Sequence, residues 1–300
     1  YDKLYYSAVS ERGFVLMSQE KLTVAVLFGG ASTEHDVSQL SVTSVLRELD
    51  RDKYELLPVG ITRSGEWFLY TGELSLITDG RWEQSDARIP CLLSPVPAHH
   101  GLMVQKADGW QPLRVDLVFP VLHGMNGEDG TMQGLMELAD MPYSSCGVLG
   151  SAVGMDKIVM KAVFKSMGLN VLDGTYCYRG TWHADREKII AEAEKIGYPV
   201  YVKPANLGSS IGISRAADRE SFIKAMDTAC AYDKRILIEK GLEKPREINC
   251  ACLGMGADCI ASLCEEPVSW EEFLTFDSKY ITSAGKGMQS QARKLPAPIS

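Results

Sequence analysis

Residues 198–212, YPVYVKPANLGSSIG, set a lysine at the mouth of an apolar strand with a glycine- and serine-rich loop directly behind it. Val200, Tyr201 and Val202 have the character of a buried strand. Pro204 removes the next ladder donor, so the strand is expected to stop at Lys203. An ammonium at a strand end needs a partner. Gly208, Ser209, Ser210 and Gly212 supply flexible backbone and hydroxyls able to close over an anion such as phosphate. The same letters also read as a surface lysine before an ordinary turn.

A second cluster lies in LHGMNGEDGTMQGLMELAD, where His123, Glu128 and Asp129 sit among four glycines after an apolar strand from Val115 to Val121. Polar groups at the carboxyl end of a parallel strand are where open α/β sheets hold ligands. Asp129 equally suits the cap of the helix that begins near Thr131, and the two uses are compatible. Glu247 stands near a hinge that follows the apolar run Ile236–Ile238. It fits either a ribose hydroxyl or a solvated strand-edge charge. Neither G-x-S-x-G nor G-x-x-x-x-G-K-[ST] occurs, so no nucleophile elbow or Walker loop is present. The glycines at 29 and 30 lack the G-x-G-x-x-G spacing, which weakens a dehydrogenase reading.

Alternating elements must position these groups. VAVLF from Thr23 onward is a strand, Gly29 and Gly30 turn the chain, and residues 38–49 show helical spacing. Residues 56–61 give a strand, and ITRSGEWFLY a hairpin turned at Ser64 and Gly65. Residues 151–168 read as one helix, with Met155, Ile158, Val159, Ala162, Val163 and Met167 on one side and Lys157 and Lys161 off it. A strand at 175–178, a helix at 184–196, the Lys203 strand and a helix from Asp218, a natural cap, complete a compact unit. Residues 270–288 form a long polar loop suited to covering a site. Residues 1–16 lack periodicity and read as upstream of a natural start at Met17.

The chain has 300 residues, 45% hydrophobic and 23% charged, with a net charge of -8. Room exists for two or three small cores. No apolar run approaches a membrane span, and the acidity argues against wholesale nucleic-acid binding while permitting a local basic pocket. The eight cysteines are scattered and fit a reducing cytoplasm better than a disulfide scaffold. Cys250, Cys252, Cys259 and Cys264 lack a C-x-x-C pair and read as small core side chains rather than a zinc site.

Six ordered motifs, FGGASTEHDVS, FPVLHGMNGEDGTMQG, MDK at 155–157, VKPANLGSSIG, LIEK at 237–240 and SKY at 278–280, resemble the D-alanine–D-alanine ligases of the ATP-grasp superfamily. The resemblance runs from about Leu22 to the end. It implies an α/β (α+β overall) fold: an open parallel α/β domain followed by an ATP-grasp domain truncated at its carboxyl end. The implied division is a non-core extension at 1–20, a substrate-binding domain at 21–147, a central ATP-grasp subdomain at 148–236 and an incomplete terminal subdomain at 237–300.

By the same resemblance, Glu34 would face the ammonium of a first D-alanine, with His123 nearby. Lys157 and Lys203 would hold ATP phosphates, with Ser209 and Ser210 in the nucleotide loop. Glu239, Lys240, Leu242 and Glu247 would frame the adenosine. Ser209 and Tyr280 would join Glu34 in a hydrogen-bonded set that draws the covering loop shut, with Lys279 near the phosphates. The implied reaction makes D-alanyl-D-alanine through D-alanyl phosphate for peptidoglycan synthesis, in the cytoplasm, with magnesium (or manganese) and a homodimer.

The covering loop reads FLTFDSKY where many family members are richer in tyrosine and acid. Retention of Tyr280 leans against the D-lactate-using relatives and leaves D-serine open as second substrate. LPVGITRSGEW and FPVLHGMNGEDGT are similar to the vancomycin-resistance D-alanine–D-serine ligases. Family members continue with a segment that supplies an arginine and the magnesium ligands. Metal ligands are therefore expected beyond Ser300, the 300 residues are expected to be a fragment, and alone they would be inactive or nearly so. The rival readings are another ATP-grasp carboxylate-amine ligase and a non-catalytic nucleotide-binding protein.

Overall fold

The computed structural model describes residues 21–243, 245–254, 256–267 and 293–299. Its first sheet is built around β1 (Leu22–Gly29), whose residues 24–28 are almost wholly buried, as expected of a strand covered on both faces. On one side β1 pairs in parallel with β2 (Tyr54–Ile61), and on the other with β7 (Leu117–Pro120). β3 (Trp67–Tyr70), β4 (Arg88–Leu93), β5 (Gly101–Lys106) and β6 (Gly109–Arg114) add antiparallel strands, in the order β6-β5-β4-β3-β2-β1-β7. The parallel α/β core is thus three strands wide. The sequence reading found the β2–β3 hairpin but not β4 to β6, although Asp108-Gly109, where the two-residue turn at 107–108 enters β6, is a hairpin signal.

Helix α1 (His35–Glu48) and the short α2 (Leu74–Thr78) lie on one face of this sheet, packed with Val24, Val26, Phe28 and Trp82. Helix α3 (Thr131–Leu138) packs on the other, with Ala25, Leu27, Met132 and Met136. The chain therefore leaves β1 toward one face and β7 toward the opposite face. The loops after these adjacent strands diverge and open a crevice at their carboxyl ends.

Helix α4 (Val148–Met155) and helix α5 (Lys157–Ser166) replace the single helix expected over 151–168. The break is at Asp156, which is extended (φ -85, ψ 102) and caps α5 by accepting the Ile158 and Val159 N–H groups, both at 3.0 Å. An aspartate inside an apolar helical pattern was the available signal.

The second sheet has the order β10-β9-β11-β8, from β8 (Gly174–Tyr178), β9 (Val200–Pro204), β10 (Ser214–Ala216) and β11 (Arg235–Lys240). Strand β9 runs one residue past the expected stop. Pro204 still pairs with Ile236, and its carbonyl serves Lys157 instead of its missing N–H. Helices α6 (Arg179–Ala184), α7 (Arg186–Ile196) and α8 (Arg219–Tyr232) cover one face through Trp182, Ile189, Phe222 and Met226. Asp218 caps α8 as expected, in a reciprocal capping box with Ser221. Two short two-stranded ribbons complete the described chain: β12 (Cys252–Leu253) with β13 (Ile260–Ala261), and β14 (Glu266–Pro267) with β15 (Arg293–Lys294). Cys250, Cys252 and Cys259 are exposed and Cys264 is half-buried, so they are not the core side chains expected. Cys252 lies on β12, and the other three flank the strands of that ribbon.

Among the described residues no helix is long and apolar enough to cross a membrane. Fully buried Ser38 fastens the crevice: its Oγ accepts the Gly29 N–H at 2.8 Å and donates to the Val121 carbonyl. Ser38→Ala strands both backbone groups. It is expected to cost about 1–3 kcal/mol of unfolding free energy, read from urea denaturation.

Candidate functional site

Glu34 occupies the N-cap position of α1 without capping it. Its carboxylate instead accepts a hydrogen bond from Ser209 Oγ, in the loop after β9, although the residue is only 4% exposed. Two glycines make the space: any Cβ at Gly124 would collide with Glu34 Oε2, and one at Gly208 would lie 3.1 Å from it. Ser32 orders the approach, donating to the His123 carbonyl at 2.9 Å and accepting the Glu34 N–H at 3.1 Å. His123 Nε2 lies 2.9 Å from Ser41 Oγ. Glu34 and His123 are therefore brought together at the crevice. Among the described residues no cation forms an ion pair with Glu34. A carboxylate desolvated this far is poised for an incoming ammonium.

Glu128 and Asp129 serve their own loop: Glu128 accepts the Gly124 N–H at 2.7 Å, and Asp129 those of Asn126 and Thr131 at 2.9 and 3.0 Å. The helix N-cap is Gly130, one residue beyond the expected Asp129.

The loop after β9 turns on two consecutive left-handed residues, Ser209 (φ 48) and Ser210 (φ 62). Side chains other than glycine or asparagine seldom adopt this conformation, and pairs of such residues concentrate at ligand sites. Asp233 pins the loop's start by accepting from Asn206 N and Nδ2 at 2.9 and 3.2 Å.

Alternation along the second sheet sends Tyr201 and Lys203 of β9, with Leu237 and Glu239 of β11, to the face opposite α7 and α8. Glu239 binds two lysines there. Oε1 takes Lys203, and Oε2 takes Lys161 at 2.7 Å, with side-chain exposures of only 9% for Glu239 and 17% for Lys161. Burial pushes the Glu239 carboxyl upward, but Lys203 and Lys161 outweigh it and hold it below its ordinary value. Lys203 also stands 5.6 Å from the Tyr201 ring centroid. Lys157 donates to the carbonyls of Pro204 at 3.3 Å and Leu207. Burial and then the like charge of Lys203 lower its pKa to about 8.

Lys240 donates to the Gly197 and Tyr198 carbonyls at 2.8 and 3.3 Å, joining β11 to the end of α7. Leu242 and Glu247 are exposed beyond it. Lys279 and Tyr280 lie outside the described residues. Sequence reasoning missed the partners that organise these groups: Ser32, Ser41, Lys161, and the ion pair between Asp156 and Arg235 that ties α5 to β11. Lys161 had a faint signal in its i,i+4 spacing from Lys157. The arrangement pairs a cation-hungry carboxylate with a loop and an anion-hungry lysine face on the same side of the molecule.

The family model described as D-ala D-ala ligase N-terminus matches residues 23–146, and that of the D-ala D-ala ligase C-terminus matches residues 163–297. The D-alanine--D-alanine ligase of Thermoanaerobacter pseudethanolicus is 44% identical over 282 residues, covering 93% of this chain and 75% of that protein. The Caldicellulosiruptor bescii protein of the same name is 43% identical over 267 residues, 89% of this chain and 72% of its own length. Among solved structures, the VanG D-Ala:D-Ser ligase from Enterococcus faecalis superposes with a TM-score of 0.76 at 33% identity, covering 94% of this chain and 78% of that one. The D-alanine-D-alanine ligase from Coxiella burnetii does so with 0.71 at 32% identity, covering 82% and 71%.

The depressed Lys157 has a consequence for stability. Between about 8 and its ordinary 10.5 the unfolded chain holds a proton that the folded chain lacks, so unfolding free energy rises with pH across that window. Urea midpoints measured from pH 7.5 to pH 10 are expected to climb in the parent and to flatten in Lys157→Met (window from about 8).

Proposed function

The chain belongs to the D-alanine–D-alanine ligase family, and on that premise we propose how its residues divide the work of the reaction. The activity is ATP-dependent formation of D-alanyl-D-alanine for peptidoglycan synthesis. The carboxylate of one D-alanine attacks the terminal phosphate of ATP, giving D-alanyl phosphate and ADP. The amine of the second then adds to the acyl carbon, and phosphate leaves from the tetrahedral species.

The observation that carries the assignment of roles is the buried Glu34 carboxylate, which forms no ion pair with a described cation and has Ser209 on its Oε1. In this reading Glu34 takes the first D-alanine's ammonium and His123 borders the same pocket. Lys203 and Lys157 then meet the phosphates that lie over the second sheet, with Ser209 and Ser210 in the loop between the two sites. Glu239, Lys240, Leu242 and Glu247 border the adenosine. Ser209 joins the two halves, so that closure over them excludes water from an acyl phosphate that water would destroy. Lys279 and Tyr280 belong to the same proposal by position in the motif. The chemistry needs no protein nucleophile: positioning and electrostatics supply it.

Three clusters of buried side chains, two within residues 24–141 and one within 177–238, support a boundary near 147. The boundary at 236 and a third part at 237–300 stay in the proposal, although β11 (Arg235–Lys240) pairs within the second sheet. Magnesium or manganese accompanies ATP in this reading. Among the described residues no group of three or more His, Cys, Asp or Glu could hold a metal. They do not fit the cation, and no step is routed through it. A cytoplasmic homodimer remains part of the proposal.

The curated relatives, at 39–44% identity, favour D-alanine as second substrate, while the likeness to VanG keeps D-serine as the second reading. A panel of D-alanine alone and D-alanine with D-serine, run on the chain extended to the length of its relatives and scored by dipeptide product, separates them. Dipeptide from D-alanine alone is expected.

Lys203→Ala, in the chain extended to the length of its relatives, is expected to lower turnover about 10²-fold or more. Its unfolding midpoint should stay within about 5 °C, because Lys161 still neutralises Glu239. Equal damage to both would make Lys203 a structural residue.

A further inference from the structure

We propose that Lys161 is a positioning residue that keeps Lys203 available to a nucleotide phosphate. The proposal rests on the nucleotide reading of the lysine face and deepens it.

Glu239 is the only carboxylate that the described ion pairs give to Lys203, and each of its oxygens is engaged by a different ammonium. Lys161 is fixed at both ends. Its backbone belongs to α5, one turn on from Lys157, and its Nζ also donates to the Leu172 carbonyl at 2.8 Å, ahead of β8. It therefore holds Glu239 whether or not Lys203 does. Lys203 reaches the same carboxylate from β9 and, with a side chain 24% exposed, is the more accessible of the two cations.

Lys161, Lys203 and Glu239 together carry one net positive charge, and Lys157, which feels the repulsion of Lys203, adds another. This excess is the attraction for a phosphate. When a phosphate draws Lys203 away, Glu239 keeps Lys161 and stays compensated. Without Lys161, the same move would leave a carboxylate with 9% side-chain exposure unpaired, which is strongly unfavourable. Lys203 would then stay on Glu239, and the excess charge would fall by one. Lys161 thus acts on the phosphate through two other side chains without touching it.

Adenosine and ADP separate this role from simple support of the fold, because only ADP carries the phosphates. Titration calorimetry of both ligands on the chain would compare the parent with Lys161→Met, Lys161→Arg and Lys165→Met. Lys165 is an exposed lysine one turn further along α5, so its loss changes net charge equally without touching Glu239. Lys161→Met is expected to weaken ADP roughly tenfold and to leave adenosine within about twofold of the parent. Lys161→Arg and Lys165→Met should keep the parent's affinity for both. Should Lys161→Met lose cooperative unfolding, Lys161→Gln, which keeps a donor for the Leu172 carbonyl without the charge, carries the same expectation. Equal weakening of adenosine and ADP, no weakening of either, or equal effects of Lys165→Met and Lys161→Met would overturn the proposal while leaving the nucleotide site in place. A parent chain that binds neither ligand would overturn the nucleotide reading itself, and this proposal with it.

Discussion

One hydrogen bond, from the Ser209 hydroxyl to the buried Glu34 carboxylate, joins residues 175 positions apart and connects the two large sheets where their loops meet. Much of the local geometry is arranged so that it can form. Gly124 and Gly208 leave room for the carboxylate, Ser32 fixes the Glu34 backbone, and Ser209 and Ser210 accept a left-handed backbone to turn toward it. Substituting any side chain at Gly124 would displace Glu34, and the Gly124 backbone (φ 68) resists that substitution independently. A desolvated carboxylate held by a hydroxyl costs stability unless a cation arrives, and in the proposed reading that cation is an amino acid's ammonium.

The lysine face obeys the complementary rule. Lys157, Lys161 and Lys203 converge beside Glu239, which pairs with Lys161 and Lys203 among the described residues, and burial and then the like charge of Lys203 depress Lys157. Placing an excess of cations beside a carboxylate with little access to water stores a preference for a polyanion. Each half of the site is incomplete in charge, and the two are incomplete in opposite senses. In the proposed reading, an amino acid's ammonium at one half and a nucleotide's phosphates at the other would satisfy both.

Strand β1, the β2–β3 hairpin, α8 with its Asp218 cap and the lysine-tipped β9 were legible because each depends on local pattern: apolar runs, turn glycines and caps. Strands β4 to β6 were not, since their alternation is weak and Pro90 and Pro112 interrupt it. The single helix expected over 151–168 failed because a long apolar stripe hid a cap residue, Asp156, whose other partner, Arg235, lies far along the chain. Resemblance of short motifs pointed to Glu34, Ser209, Lys203 and Glu239. Their pairing could not be read from the letters, because it depends on which strand neighbours which. The order β9-β11-β8 brings Lys203 beside Glu239, and the seating of α5 brings Lys161.

Hydrogen exchange of the backbone amides in residues 208–212, compared between the parent and Ser209→Ala, tests most directly whether the bond to Glu34 holds this loop. If the Ser209 bond is the tie that joins the two sheets, Ser209→Ala should speed exchange there roughly tenfold while the amides of β1 and β9 stay protected. Unchanged exchange at 208–212 would contradict it, and would mean that the loop keeps its shape without the hydroxyl.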